Sequence, residues 1–206
     1  MITKKIALFG TDPRLAEQVA AEALVRGHSV TLVVPNPQEI NLKYHSLKSV
    51  QGNMMDVNDV SKHAAGHDVV ICLHEPDLYH LKKHIKANKS VIEGAKNAGV
   101  QRIISLGHPI SISTDKNKAF YDMWKAVAEV QGETLKLFKN ENWLRWEYLH
   151  SNVPSIQQGR SHVHRALLVS NPEGTNKAVH AHQFIKALLE EAEKTEFIWH
   201  EDEIVF

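Results

Sequence analysis

Disulfide chemistry, membrane-spanning runs and net charge are all missing from this chain, and each absence excludes a class of function. A single cysteine, Cys72, rules out an intrachain disulfide, and its place within VVICL predicts a buried strand thiol. No apolar run approaches the length of a transmembrane helix, so no membrane partner is expected. Lys and Arg total 24 and Asp and Glu total 24, leaving no basic field for nucleic acid and no acidic tail. Met1 to Lys5 runs straight into the first apolar stretch, which predicts no signal peptide and a cytoplasmic location. The remaining composition is ordinary: 43% hydrophobic and 23% charged residues over 206 positions suit one medium globular domain. The 14 histidines are the oddity, and their scatter predicts mostly surface positions.

The stretch that organises the chain is residues 4–27, KKIALFGTDPRLAEQVAAEALVRG. Ile6, Ala7, Leu8 and Phe9 form a continuous apolar run, the mark of a parallel strand covered on both faces. Leu15, Val19, Ala23 and Val25 recur at helical spacing, and Gly27 is expected to close the helix. A strand entering a helix through a glycine turn is how a dinucleotide-binding domain begins. That fingerprint needs glycine at the turn, a second where backbone meets pyrophosphate, and a third small residue where helix and strand close. Gly10 meets the first need and Ala16 the third, but Pro13 holds the middle position and offers no N–H. Asp12 reads as the N-cap with Pro13 as the first helical residue, so its carboxylate competes with a phosphate for the same donors.

Strand and helix alternate onward. Residues 28–34 predict a β-branched strand broken by Pro35-Asn36-Pro37, residues 47–51 a third strand, and Asp56 the start of a helix to about Ala65. Residues 69–73 predict strand four, 78–97 a helix capped near Gly99, and 100–106 strand five. The alternation argues for a parallel sheet with right-handed crossovers. The end of strand two carries neither the acid that would bind a ribose 2′-hydroxyl nor an arginine for a 2′-phosphate; Asn36 is the neutral candidate there.

The order GH-x-V-x-x-V, V-x-G-N-x-x-D, G-H-D-V-V-I and A-G-V-x-R-I-I, at Gly27, Val50, Gly66 and Ala98, resembles the atypical short-chain dehydrogenase/reductases. The group it is most similar to is the NmrA-like NAD(P)H-binding proteins, which include small flavin and biliverdin reductase-like enzymes. Residues 133–149 resemble that family's helix and sixth strand, and 178–206 its closing helix and last strand. The resemblance implies an α/β, Rossmann-like doubly wound parallel sheet: a nucleotide-binding core to about residue 150, then a small C-terminal substrate cap over 151–206. It also implies NAD or NADP across the turn formed by Gly10, Thr11, Asp12, Pro13, Arg14 and Leu15, past Asn36, Asn53 and Met54, to Leu73, His74 and Gly107. The family's second and third glycines, its basic residue after strand two (here Pro35) and the acid after Gly52 (here Asn53) are replaced.

Three residues could carry proton chemistry. Tyr121 and Lys125 match a Tyr-x-x-x-Lys pair, which one helical turn places on one face, although a solvated helix face produces the same spacing. His108 follows strand five, where a substrate carbonyl or flavin would lie. The pairs His80/His84, His162/His164 and His180/His182 have ligand-like spacing but no third ligand, so they read as solvated histidines rather than a metal site. Trp143 to Tyr148 reads as an alternating strand facing the core in preference to a stacking platform, Val163 to Val169 as a strand, and Glu190 to Glu193 as the solvated end of the last helix. The expected function is NAD(P)H-dependent reduction of a small electrophile or flavin; the alternative is a non-catalytic relative that senses nucleotide or binds a protein.

Overall fold

The computed structural model describes residues 3–74, 79–107, 118–149, 167–170, 176–179 and 181–194. Its elements run β1 (Lys5–Gly10), α1 (Pro13–Val25), β2 (Ser29–Val34), a 3-10 turn (Pro37–Glu39), β3 (Leu47–Gln51), α2 (Val57–Ala64), β4 (Val69–Leu73), α3 (Leu81–Asn97), β5 (Arg102–Leu106), α4 (Lys118–Lys139), β6 (Arg145–Leu149), β7 (Leu167–Ser170), β8 (Asn176–Val179) and α5 (Ala181–Glu193). β1 to β6 form one sheet in the order β3-β2-β1-β4-β5-β6, and every pairing in it is parallel. This is the doubly wound Rossmann-like arrangement expected from the alternating pattern. β7 and β8 pair antiparallel in a separate ribbon; β7 falls within the strand expected at 163–169, whose first four residues lie outside the described set.

The continuous apolar runs follow from burial on both faces. Ile6 and Leu8 of β1 point to one side, where α1 and α5 supply Leu15, Val19, Leu188 and Leu189. Ala7 and Phe9 point to the other, where α2, α3 and α4 supply Val60, Val91 and Phe138. Phe9 is fully buried, which stabilises the fold by ~2–3 kcal/mol relative to exposure. Trp146 packs against the second core, as the core-facing reading of β6 predicts.

Several details differ from expectation. Val25 is 79% exposed, because the apolar stripe of α1 is completed by Leu24. β2 and β5 begin at Ser29 and Arg102, each slightly later than the hydrophobic pattern suggests, and α3 begins at Leu81 with His80 as its N-cap. His182 lies in α5, so it cannot share a strand face with His180. His162, His164 and His180 lie outside the described residues, as does the closing strand expected before Phe206.

Candidate functional site

β1 and β4 are neighbours whose outgoing helices lie on opposite faces, so the sheet has its topological switch point at the carboxyl ends of Gly10 and Leu73. At Gly10 an added Cβ would stand 2.7 Å from the Cβ of Ala16, too close for both to exist. The close strand–helix approach that the fingerprint requires is therefore present, with Ala16 in the third small position. Asp12 is the N-cap of α1, and its Oδ1 accepts hydrogen bonds from the backbone N–H groups of Arg14 at 2.9 Å and Leu15 at 3.4 Å. Pro13 has no N–H to give. The helix end that would hold an anion is thus engaged by a carboxylate of the same chain. Thr11 and Arg14 are exposed beside the turn, and the Arg14 guanidinium forms no ion pair with another described residue, whereas Leu15 is buried in the core.

The other candidate positions divide into surface and interior. Asn36 is exposed, caps the 3-10 turn and donates from Nδ2 to Oε1 of Glu39 at 2.8 Å, so an acid does stand near the end of β2, supplied from beyond the proline break. The Asn53 side chain closes its own turn by accepting from the Met55 N–H at 3.0 Å, while its backbone N–H donates to Asp59. Met54 and Leu73 are buried in the two cores. Gly107 is buried at the end of β5, donating its N–H to Leu149 at 2.7 Å.

Of the three catalytic candidates, Lys125 is on α4 and exposed; Tyr121 is on the same helix with its side chain outside the described set, and His108 lies outside the described residues. The structure brings a different polar group together. His84 is not solvated: it is fully buried, because the face of α3 that carries it packs over the carboxyl ends of β4 to β6. Its Nδ1 lies 3.2 Å from Nδ1 of His74, which is itself 5% exposed at the end of β4. Its Nε2 lies 2.9 Å from the Tyr148 hydroxyl and 3.3 Å from Nδ2 of Asn88. Asn88 is fixed in turn, donating to the His84 carbonyl at 2.9 Å and accepting from Ser105 Oγ. Cys72, Ser105 and Tyr148 are register partners across β4, β5 and β6, so one row of the sheet carries the floor of this network. Burial pushes the Tyr148 phenol well above its usual range and the Cys72 thiol up to about 11, so both stay protonated near neutral pH. Among the described residues no group of three or more His, Cys, Asp or Glu side chains is arranged to hold a metal ion.

The sequence profile of the NAD(P)H-binding family matches residues 10–153, well over half of the chain. The chain belongs to this family. The YwnB protein of Bacillus subtilis (strain 168) is 24% identical, with 93% of each sequence covered. Vestitone reductase from alfalfa (Medicago sativa) superposes with a TM-score of 0.67 at 12% identity, covering 94% of this chain and 74% of that one. A short-chain dehydrogenase/reductase from Veillonella parvula in complex with NADP superposes with a TM-score of 0.62 at 12% identity, covering 94% of this chain and 88% of that one. The fold and the family agree with the resemblance to atypical short-chain dehydrogenase/reductases.

An NAD(P)H-binding family member needs close backbone approach at its first turn and positive charge for two phosphates. Gly10 with Ala16 meets the first requirement, and Arg14, which forms no ion pair with another described residue, supplies positive charge, with the Thr11 hydroxyl as a neutral donor, in place of the amides that Pro13 and Asp12 remove. The residues present therefore fit the group.

Two acidic residues near the chain's last helix were not legible as structural. Glu191 is buried, not solvated, and stands against Glu147, which also pairs with Arg102. Burial outweighs the attraction of Arg102, and with the neighbouring Glu191 it pushes the Glu147 carboxyl up to about 7. Glu193 accepts from His28 Nε2 at 3.0 Å and Arg26 Nη1 at 3.3 Å, tying the end of α5 to the turn after α1. No helix among the described residues is long and apolar enough to cross a membrane.

Proposed function

We propose that the protein is an NAD(P)H-dependent reductase acting on a small carbonyl compound or flavin in the crevice at the carboxyl ends of β1, β4 and β5. The observation that carries this reading is the Gly10–Ala16 contact at the switch point, within the span that matches the NAD(P)H-binding family. When bound, reduced nicotinamide supplies the hydride. Arg14 neutralises phosphate beside Gly10, and the Thr11 hydroxyl orients it. The Asn36–Glu39 pair is an acceptor-rich group suited to a ribose hydroxyl and repels a 2′-phosphate, which supports NADH as the preferred form.

Titration calorimetry of the purified protein with NADH and NADPH tests the reading. Micromolar binding, tighter for NADH, is the expected result; no binding at millimolar concentration of either would end it. One observation favours a second reading, a family member that has lost the nucleotide and serves as a sensor or scaffold: the Asp12 carboxylate already satisfies the amides of Arg14 and Leu15. The same titration separates the two.

A further inference from the structure

At the amino ends of β1, β2 and β3, the edge of the sheet opposite to the crevice just described, lies a cleft of ≈ 330 Å³. Strand alternation builds its floor. Lys5 pairs with Ser29 and Thr31 with Lys48 in the parallel register, so these four side chains share one face, the face that carries Ala7 and Val33 deeper in the sheet. The turn before β3 supplies one wall. There the Leu47 N–H donates to the Tyr44 carbonyl at 3.1 Å and the Ser46 carbonyl accepts from the Val30 N–H at 2.9 Å, which lays His45 and Ser46 against β2. Gly66 and His67, just past α2, supply the other wall. The His67 ring is fixed there, with Nδ1 3.1 Å from each of the Ala64 and Ala65 carbonyl oxygens and Nε2 2.8 Å from the Thr31 hydroxyl.

Two lysines and two histidines line this cleft and no acidic side chain does, in a chain whose basic and acidic residues balance at 24 each. Lys5 and Lys48 are exposed, and neither ammonium group pairs with a carboxylate among the described residues. Asp68, which follows His67, is turned to the backbone of β1, where its Oδ2 accepts the Lys5 N–H at 2.7 Å. Positive charge gathered in a concave place attracts an anion, and the Ser29 and Ser46 hydroxyls add neutral donors. Thr31 has a different role. The two carbonyls at Nδ1 of His67 put the ring proton there, so Nε2 of the neutral ring takes the Thr31 hydroxyl proton. The Thr31 oxygen is left with lone pairs that can only accept, which suits a ligand hydroxyl and not a phosphate oxygen. The volume stands at the lower end of the ~300–1,000 Å³ usual for small-molecule sites, room for a phosphate and one sugar ring. We propose that this cleft binds a small hydroxylated phosphate monoester of the sugar-phosphate class, with Lys5 and Lys48 on the phosphate and Thr31 accepting a sugar hydroxyl. The site goes beyond the reductase reading and does not depend on it, since it lies at the other end of the strands from Gly10.

The test follows the backbone amide signals of the full chain, labelled with 15N, during titration with ribose 5-phosphate, inorganic phosphate and ribose at constant ionic strength. Ribose 5-phosphate should bind with millimolar or tighter affinity and shift the signals of residues 29–31, 46–48 and 66–67. Inorganic phosphate should move the same signals with ~3- to 10-fold weaker affinity, and ribose should move none at matching concentration. Lys5→Met and Lys48→Met, both at exposed positions, should each weaken the two phosphates ~5- to 10-fold, the size of one charge-assisted contact. Lys43→Met, which removes an exposed charge close in sequence but outside the cleft, should change affinity by less than about twofold. Thr31→Val should weaken ribose 5-phosphate ~3- to 10-fold and leave inorganic phosphate unchanged. No shift at ~20 mM ribose 5-phosphate, shifts confined to residues 10–16 of the dinucleotide turn, or a loss in Lys43→Met equal to that in Lys5→Met and Lys48→Met would each overturn the site. Equal affinity of the wild type for ribose 5-phosphate and inorganic phosphate, or unchanged ribose 5-phosphate binding in Thr31→Val, would overturn the assignment of a sugar hydroxyl to Thr31.

Discussion

Gly10 and Ala16 leave each other no room for another methyl group: a Cβ on Gly10 would lie 2.7 Å from the Cβ of Ala16. Gly10→Ala should therefore destabilise the protein by ~1–3 kcal/mol, the usual effect of overpacking a close contact. The double variant Gly10→Ala with Ala16→Gly should recover most of that loss. Urea unfolding of both variants measures it, and a single variant as stable as the wild type would show that the turn relaxes.

Asp12 stabilises α1 and occupies the donors of Arg14 and Leu15 in the same act. Asp12→Ala should lower stability by ~1 kcal/mol through loss of the cap and tighten dinucleotide binding by removing the competing carboxylate. Pro13→Gly should tighten it as well by restoring an amide. Calorimetry with NADH reads both variants, and unchanged affinity in the pair excludes a phosphate from the end of α1.

Glu147 should make stability fall as pH rises. Its folded value of about 7 stands above the ordinary carboxyl value of 4.5, so between those limits the native state holds more protons than the unfolded chain. Its contribution is complete below pH ~4.5 and lost as pH climbs through ~7. Glu147→Gln should flatten the melting temperature across that window, followed by circular dichroism.

Glu193 has the opposite sign. Burial raises its carboxyl, but hydrogen bonds from His28 and Arg26 prevail and hold it below the ordinary value, so its stabilisation is present above pH ~4.5 and fades as pH falls through the lower folded value. His28 is buried and takes the Lys4 N–H on Nδ1 at 3.1 Å, so Nε2 is the nitrogen that needs Glu193 as acceptor. Glu193→Ala should cost ~1–3 kcal/mol in denaturant melts, against less than ~0.5 kcal/mol for the exposed Glu190→Ala.

The sheet is legible in the sequence because strands buried on both faces must be continuously apolar; VVICL gives β4 as Val69–Leu73 without error. The start of α1 is legible for a local reason, since Asp12 and Pro13 act within one turn. The polar network is not. His74, His84 and Tyr148 form no motif, and they meet only because the register of β4 to β6 and the packing of α3 bring them together. Histidine scattered along a chain is most often solvated, and that expectation fails at His84 because its helix face is the buried one. The acids of α5 mislead similarly: Glu190 is exposed while Glu191 and Glu193 point to Lys194, Arg26 and His28.

Cys72 sits on a central strand, is wholly buried and is the only thiol in the chain. A thiol reagent can reach it only when β4 separates from its neighbours or the whole domain opens, so the rate of labelling is a clock for opening of the sheet. Slow fluctuations of this protein, and any rigidity that a bound ligand confers, can thus be timed at one atom without adding a probe.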